Sequence, residues 1–369
     1  MFQIRLNLRC YMQQCKRWWL FLVVFLHYLL LVCSAHAETF VLPADGSTLV
    51  GKPKIVIPTQ ENTLLDIARQ LDVGHHEITW SNPDVDVWLP EKNAKVIIPT
   101  QYILPPKPWT GIILNISQRR MFYFPPPAKG ETAKVMTFPL SIAREGWSTP
   151  LGNTKVIAKH KDPAWFVPKS IQKEHKESGN ENFPDYFPPG PDNPMGMLAI
   201  QLGFQSIFIH GTNRPWGVGM RTSHGCLHLY PEDAAAIFPM INKNIPVRVI
   251  DEPIVVGIHQ GQLYMASYEP VAEYGASQDL MTRASLALAP YLQTSVTTAS
   301  NSKSKPQSTI IYEVDWNKVK KITQRFQVIP LSIAPKGASL DEVLNGIAPD
   351  LYDYLPYGVD ANDASLPGE

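Results

Sequence analysis

Cysteine is what this chain has least of. Four occur in 369 residues, and three of them, Cys10, Cys15 and Cys33, fall before residue 34, so that Cys226 alone remains in the body of the chain. A disulfide framework is thereby excluded there. Charge excess is missing as well: 33 Lys and Arg stand against 33 Asp and Glu, which gives no basic surface for nucleic acid or for an anionic membrane. No acid precedes Glu38, while Arg5, Arg9, Lys16 and Arg17 do. Nor is there an apolar run of spanning length, since Trp18 to Val32 gives 15 residues where a transmembrane helix needs about 20.

A basic start, a short apolar stretch and then Ala35-His36-Ala37 form the three-part layout of a secretory signal peptide over 1–37, with cleavage expected after Ala37. Cleavage removes three of the four cysteines, four basic residues and no acid, leaving a mildly acidic protein with one thiol. An unpaired cysteine in an oxidising compartment reads as a reactive group.

Prolines are plentiful, 34 in all and scattered, which suits strands joined by shaped loops better than a helical bundle. From Lys54 to Pro99 the pattern reads as a small β-α-α-β unit. Ile55-Val56-Ile57 and Lys95-Val96-Ile97-Ile98 are its strands. Thr63 and Asp66 make a capping box ahead of Leu64, Ile67, Ala68 and Leu71 at helical spacing, and a second short helix stops at Asn82-Pro83. Residues 100–108, ending in Pro105-Pro106-Lys107-Pro108, read as a stiff linker.

A second, strand-rich region covers 109–251. Its strand candidates are 111–116, 121–124, 135–143, 154–160, 199–202, 206–210 and 247–250, and one helix begins at Pro231 and runs to about Ile241. The polar, proline-rich stretch 161–197 reads as a long loop. An extension follows over 252–345, with a hairpin turning at Gln260-Gly261, a helix from Leu280 stopping before Pro290 and a Ser/Thr/Lys-rich linker at 294–307. The acidic tail, 346–369, reads as loose, and no chemistry is legible in it or in 308–345.

Chemistry gathers in Phe208-Ile209-His210-Gly211-Thr212-Asn213 and Arg221-Thr222-Ser223-His224-Gly225-Cys226-Leu227-His228. A thiol attacks only as thiolate and needs a base, and His210 lies upstream across a loop able to fold back. At these residues the chain resembles the L,D-transpeptidases of the YkuD type, in particular the ErfK/YbiS/YcfS/YnhG group, through its HGT segment and Ser-His-Gly-Cys turn. The segments 144–152, 161–165 and 189–196 carry the likeness further, and 54–99 resembles a LysM module.

The resemblance implies a mainly β, YkuD-like sandwich with few helices, preceded by a LysM-like module over 38–99 that binds glycan. It implies a two-step acyl transfer: Cys226 is acylated by a peptidoglycan tetrapeptide stem, D-alanine leaves, and an amine resolves the thioester, giving a 3-3 cross-link or attachment of an envelope lipoprotein. His210 is the expected base, oriented by the Gly211 carbonyl, and no cofactor or metal is required. Backbone N–H groups of His224, Gly225 and Cys226 are candidates for an oxyanion hole, with Ser223 and His224 shaping the turn. Asn213, Arg221 and His228 are candidates for substrate contact, His228 standing where the group usually has Arg. The stretch 161–197 would be a lid over the donor peptide, and the expected location is the periplasm, at the cell wall.

Two other readings stay open. In an extended segment His224, Cys226 and His228 project from one face, with His210 available as a fourth metal ligand. Alternatively, the LysM-like part carries the function and the protein only binds the wall.

Overall fold

A computed structural model describes residues 38–59, 61–275, 279–292 and 312–352. The expected signal peptide, the 294–307 linker and the tail beyond 352 lie outside the described residues.

Short β-branched and aromatic runs, punctuated by Gly, Pro and Asn, become the nine strands of the main sheet. In chain order they are β1 (Glu38–Val41), β2 (Gly111–Asn115), β3 (Arg120–Phe124), β4 (Lys134–Pro139), β5 (Gly152–Lys161), β6 (Leu198–Leu202), β7 (Phe208–His210), β8 (Leu227–His228) and β9 (Pro246–Ile250). They lie side by side in the order β1-β4-β3-β2-β9-β5-β6-β7-β8. Two pairs are parallel, β2 with β9 and β7 with β8. The expected strand 135–143 divides into β4 and the two-residue strand Ile142–Ala143, which pairs with Arg221–Ser223.

The chain is mainly β, with seven helices among the described residues. Those ahead of the extension are α1 (Leu64–Gln70), α2 (His75–Ser81), α3 (Lys169–Glu177) and α4 (Pro231–Ile237). The capping box at Thr63 and Asp66 forms as read. Helix α4 opens on Pro231 with Glu232 and Asp233 in its first turn, as expected, and ends earlier than Ile241. It packs Ala234 and Ile237 into the core built from Ile112, Leu114, Met121, Phe138, Ile200, Ile209 and Leu227.

Strands β2 and β3 are buried on both faces. Ile112 and Leu114 face that core, whereas Ile113, Phe122 and Phe124 pack with Val50, Tyr102 and Leu104 from the N-terminal part. Their apolar runs show no alternation for that reason.

Residues 100–108 depart from the linker expected there. Gln101–Ile103 is a strand paired antiparallel with Leu49–Gly51, and Tyr102, Ile103 and Leu104 are buried. The prolines that stiffen this stretch begin only at Pro105, and three apolar residues precede them.

The β-α-α-β unit is thereby joined to the main sheet rather than tethered. Arg120 on β3, wholly buried, grips both carboxylate oxygens of Glu77 on α2 at 2.9 and 2.7 Å. It also donates to the Asp72 carbonyl and the Thr137 hydroxyl and lies over the Tyr102 ring. Arg69 on α1 pairs with Glu232 on α4 through two bonds of 2.7 and 3.0 Å. The described residues fall in one compact unit.

The expected loop 161–197 carries structure of its own, namely α3 and a two-stranded pair, Trp165–Phe166 with Tyr186–Phe187. The extension opens on the hairpin Ile254–His259 and Gln262–Ser267, with Gln260 and Gly261 both at positive φ (49° and 74°), the turn read from the sequence. Helix α5 (Leu280–Leu292) runs through Pro290 instead of stopping before it. Only two residues follow the proline, so the lost N–H costs a single bond at a fraying end. Helices α6 (Trp316–Thr323) and α7 (Leu340–Asn345) complete the extension. Asp350–Tyr352, expected in a loose tail, instead adds a parallel strand beside Lys54–Pro58, with Tyr352 buried in the small unit's core.

Candidate active site

The site sits on the edge pair β7 and β8. The parallel register sets Ile209 opposite Leu227 and His210 opposite His228. Since side chains alternate along a strand, Ile209 and Leu227 turn into the core while His210, His228 and Cys226, two residues before His228, share the other face.

His210 is buried, and its Nδ1 lies 2.6 Å from the Gly211 carbonyl oxygen. Nδ1 therefore carries the proton and donates it, which leaves Nε2 as the lone-pair nitrogen. This is the orientation expected from the sequence. Burial lowers the pKa of His210 to about 4, although hydrogen bonds of the ring to the Gly211 and Met195 backbone act in the opposite direction. The ring is a neutral base from mildly acid pH upward.

Cys226 is half-buried, and its Sγ points to the Ser206 carbonyl at 3.6 Å. Burial pushes the thiol up to about 11, opposed by a bond from the Phe208 backbone. With its pKa raised in this way the resting cysteine is a thiol, which needs a base before it can attack.

The turn before it is tightly built. Gly225 takes φ of 117°, and a Cβ there would meet the Ser148 carbonyl oxygen at 3.1 Å, so glycine is required. Ser223 Oγ donates to the Cys226 carbonyl at 2.5 Å and accepts from the Gly225 N–H at 3.1 Å. Ser223 thus shapes the turn, and the Gly225 N–H, expected as an oxyanion donor, is occupied.

His224 meets Arg144 and Glu174. Its Nε2 is 2.5 Å from the Arg144 guanidinium and 3.1 Å from the Glu174 carboxylate, and Arg144 also pairs with Glu174. Burial first, then the Arg144 charge, holds the His224 pKa below its usual value. Trp147 stands edge-on to the same ring. Helix α3 is thereby fastened to the turn that bears the cysteine.

The remaining candidates divide. The Arg221 guanidinium is held by Glu273 at 2.6 Å and by the Ala143 carbonyl at 3.1 Å, so it fixes a loop. Asn213 donates to the Asp192 carbonyl and ties the 190s segment to the histidine loop. His228 lies against His210, with ring centroids 4.6 Å apart. The alternating His224, Cys226 and His228 do not gather: among the described residues no three His, Cys, Asp or Glu side chains could hold a metal ion.

Several roles at the site were not legible in the sequence, although Thr149 and Asn193 fall within the segments 144–152 and 189–196 that carry the likeness. Asn193, buried, donates to the Pro163, Phe187 and Pro188 carbonyls and gathers the base of the 161–197 segment. Thr149 bonds to the Gly225 carbonyl, and Glu273 and Tyr274 reach the site from beyond residue 251. An Asn-Pro pair inside a polar loop is an ordinary turn signal, and nothing in the residue types marks Thr149 or Tyr274.

Comparison with known proteins agrees on one family. The L,D-transpeptidase catalytic domain, YkuD, matches residues 110–249. The probable L,D-transpeptidase ErfK/SrfK of Escherichia coli (strain K12) is 32% identical over 302 residues, which cover 81% of this chain and 91% of that protein. Its counterpart from Salmonella typhimurium is 30% identical, over 81% and 92%. The probable L,D-transpeptidase YbiS of Escherichia coli (strain K12) is 36% identical over 245 residues, 65% of this chain and 78% of that one.

Proposed function

The chain belongs to the L,D-transpeptidase family, and from that premise we propose that it works through a Cys226 acyl-enzyme on peptidoglycan stem peptides in the periplasm. The observation that supports this most is the shared face of β7 and β8, which carries the Cys226 thiol on the same side as His210, whose Nδ1 is tied to Gly211 at 2.6 Å and whose Nε2 is left to accept a proton.

Catalysis starts when the thiol leaves the Ser206 carbonyl and gives its proton to His210 Nε2. Sulfur attacks the carbonyl carbon of the third stem residue, and the developing oxyanion takes the Cys226 N–H. His210 returns the proton to the departing D-alanine nitrogen as the C–N bond breaks, leaving a thioester. An acceptor amine then attacks that carbonyl and gives a proton to His210, and the thiol is restored. The acceptor is a second stem peptide or the amine of an envelope lipoprotein. The 38–99 unit, read as LysM-like, binds the glycan strand next to the scissile stem.

Incubation of the mature protein with a soluble tetrapeptide stem and an amine tests this. Release of D-alanine is expected, lost in Cys226→Ala and nearly lost in His210→Ala, with the double variant no worse than Cys226→Ala because the two act as one unit. Undiminished release from Cys226→Ala would sink the reading. Analysis of muropeptides from cells with and without the gene then separates the two acceptors.

A further inference from the structure

We propose that residues 271–274, at the base of the C-terminal extension, position the Cys226 turn for catalysis, with Thr149 passing the constraint to the peptide bond that precedes the nucleophile. The inference rests on Cys226 being the nucleophile and gives a role in the reaction to the C-terminal extension, whose part the sequence leaves open.

The connection can be followed atom by atom. The Tyr274 phenol accepts from the Thr149 N–H at 2.7 Å and donates to the Thr149 carbonyl at 2.7 Å, so one hydroxyl holds both backbone groups of a single residue. Thr149 is fully buried, and its Oγ1 donates to the Gly225 carbonyl at 2.7 Å. That carbonyl shares a rigid plane with the Cys226 N–H, and in a trans peptide the two point in opposite directions. Fixing one therefore aims the other, the donor assigned above to the oxyanion. The constraint is needed here because Gly225 has no side chain to limit its own rotation.

The other end of the loop is held by the same segment. Glu273 accepts from the Gly146 N–H at 2.8 Å and from Arg221 at 2.6 Å, while Val271 is buried in the main core. Loop 144–149 is thus gripped at Gly146 and Thr149 from beyond the catalytic region. Tyr274 and Thr149 touch no reacting atom and are positioning residues.

Full-length Thr149→Val, Thr149→Ser and Tyr274→Phe test the proposal. Thr149→Val and Tyr274→Phe should lower kcat for D-alanine release on the order of 10–100-fold with KM within about 2-fold, the signature of a misaimed transition-state donor. Thr149→Ser, which keeps the hydroxyl, should recover most of the rate. Thermal midpoints should move by no more than about 4 °C, a shift that corresponds to the loss of one or two hydrogen bonds. A second readout needs no turnover. A freed turn lets the thiol leave Ser206 and meet water, so iodoacetamide should label Cys226 at least about 3-fold faster in Thr149→Val and Tyr274→Phe at pH 8, and at the parental rate in Thr149→Ser. Wild-type kcat in Thr149→Val would overturn the proposal, as would a loss that tracks the thermal midpoint and is not restored by serine. If the parent protein releases no D-alanine, the transpeptidase reading fails, and equal labelling rates across the four proteins then decide against the positioning role separately.

Discussion

At the scale of the residue, His210 and Cys226 are both displaced from their solution behaviour by burial, in directions that favour the neutral pair. The histidine falls to about 4 and the thiol rises to about 11. Between those values both are uncharged, so under the proposed function the proton would move only when substrate is present, with the pair acting as base and nucleophile rather than as a standing ion pair. The acid limb of kcat/KM should accordingly lie near pH 4 and not near the ordinary imidazole value of about 6.5. Protonation of His210 removes the base, so the rate falls as pH drops through that point and holds from pH 5 to 7. A pH–rate profile with a stem-peptide donor checks this, and an acid limb centred between 6 and 7 would show a solvated imidazole instead. How legible this pair was follows from its covalent setting: the cysteine turn and the His-Gly step are contiguous in sequence, and the carbonyl that orients the ring belongs to the next residue. The thiol's resting state was not legible, because it depends on what buries the sulfur, and Ser206 in the turn before β7 and Phe208 on β7 come beside it only on folding.

At the scale of the element, α3 shows why the 161–197 stretch was hard to read. Lys169–Glu177 carries five charged residues in nine and only Ile171 is buried, so periodicity gave no apolar stripe to find. Tertiary partners hold it: Glu174 meets Arg144 and His224. All three are partly exposed, and such a pair is worth little to global stability, about 0–1 kcal/mol. Glu174→Ala should therefore leave the thermal midpoint within about 2 °C, yet speed amide exchange across 169–177, because that contact ties the helix to the cysteine turn. It should also move the His224 pKa further down, since the carboxylate is the group that opposes burial there. Hydrogen exchange and an NMR titration of the ring read these two effects, and unchanged exchange would show that α3 is held by its apolar side alone. The β elements were far easier. Gly111–Asn115 and Arg120–Phe124 are dense in β-branched and aromatic residues, and their lack of alternation already recorded a second buried face.

At the scale of the whole molecule, the arginine that opens Arg120–Phe124 was the one sequence signal that 38–104 is not a tethered module. A cation at the head of an apolar strand must be paired where it is buried, and Glu77 supplies the pair from α2. The proline cluster at 105–108 drew the reading toward a linker because its composition is local, whereas the ion pair spans 43 positions. Glu77→Ala should cost about 3–5 kcal/mol by leaving Arg120 unpaired, seen as a fall in thermal midpoint on the order of 10 °C. Removing 38–107 should yield an unstable remainder rather than an independent catalyst, because β1 and the cover of β2 and β3 go with it. Sharp thermal unfolding of that truncated protein near the parental temperature would contradict this. The strand Asp350–Tyr352 extends the point into time. It completes the sheet that Lys54–Pro58 begins, joined by a hydrogen bond from Thr59 to Tyr352 across 293 positions. A chain growing from its N-terminus must add some 293 positions between the two strands before that sheet can close, so a unit begun early is finished late. Until then its apolar face must wait, and a ribosome-stalled or prematurely ended chain would present it to whatever chaperone is at hand.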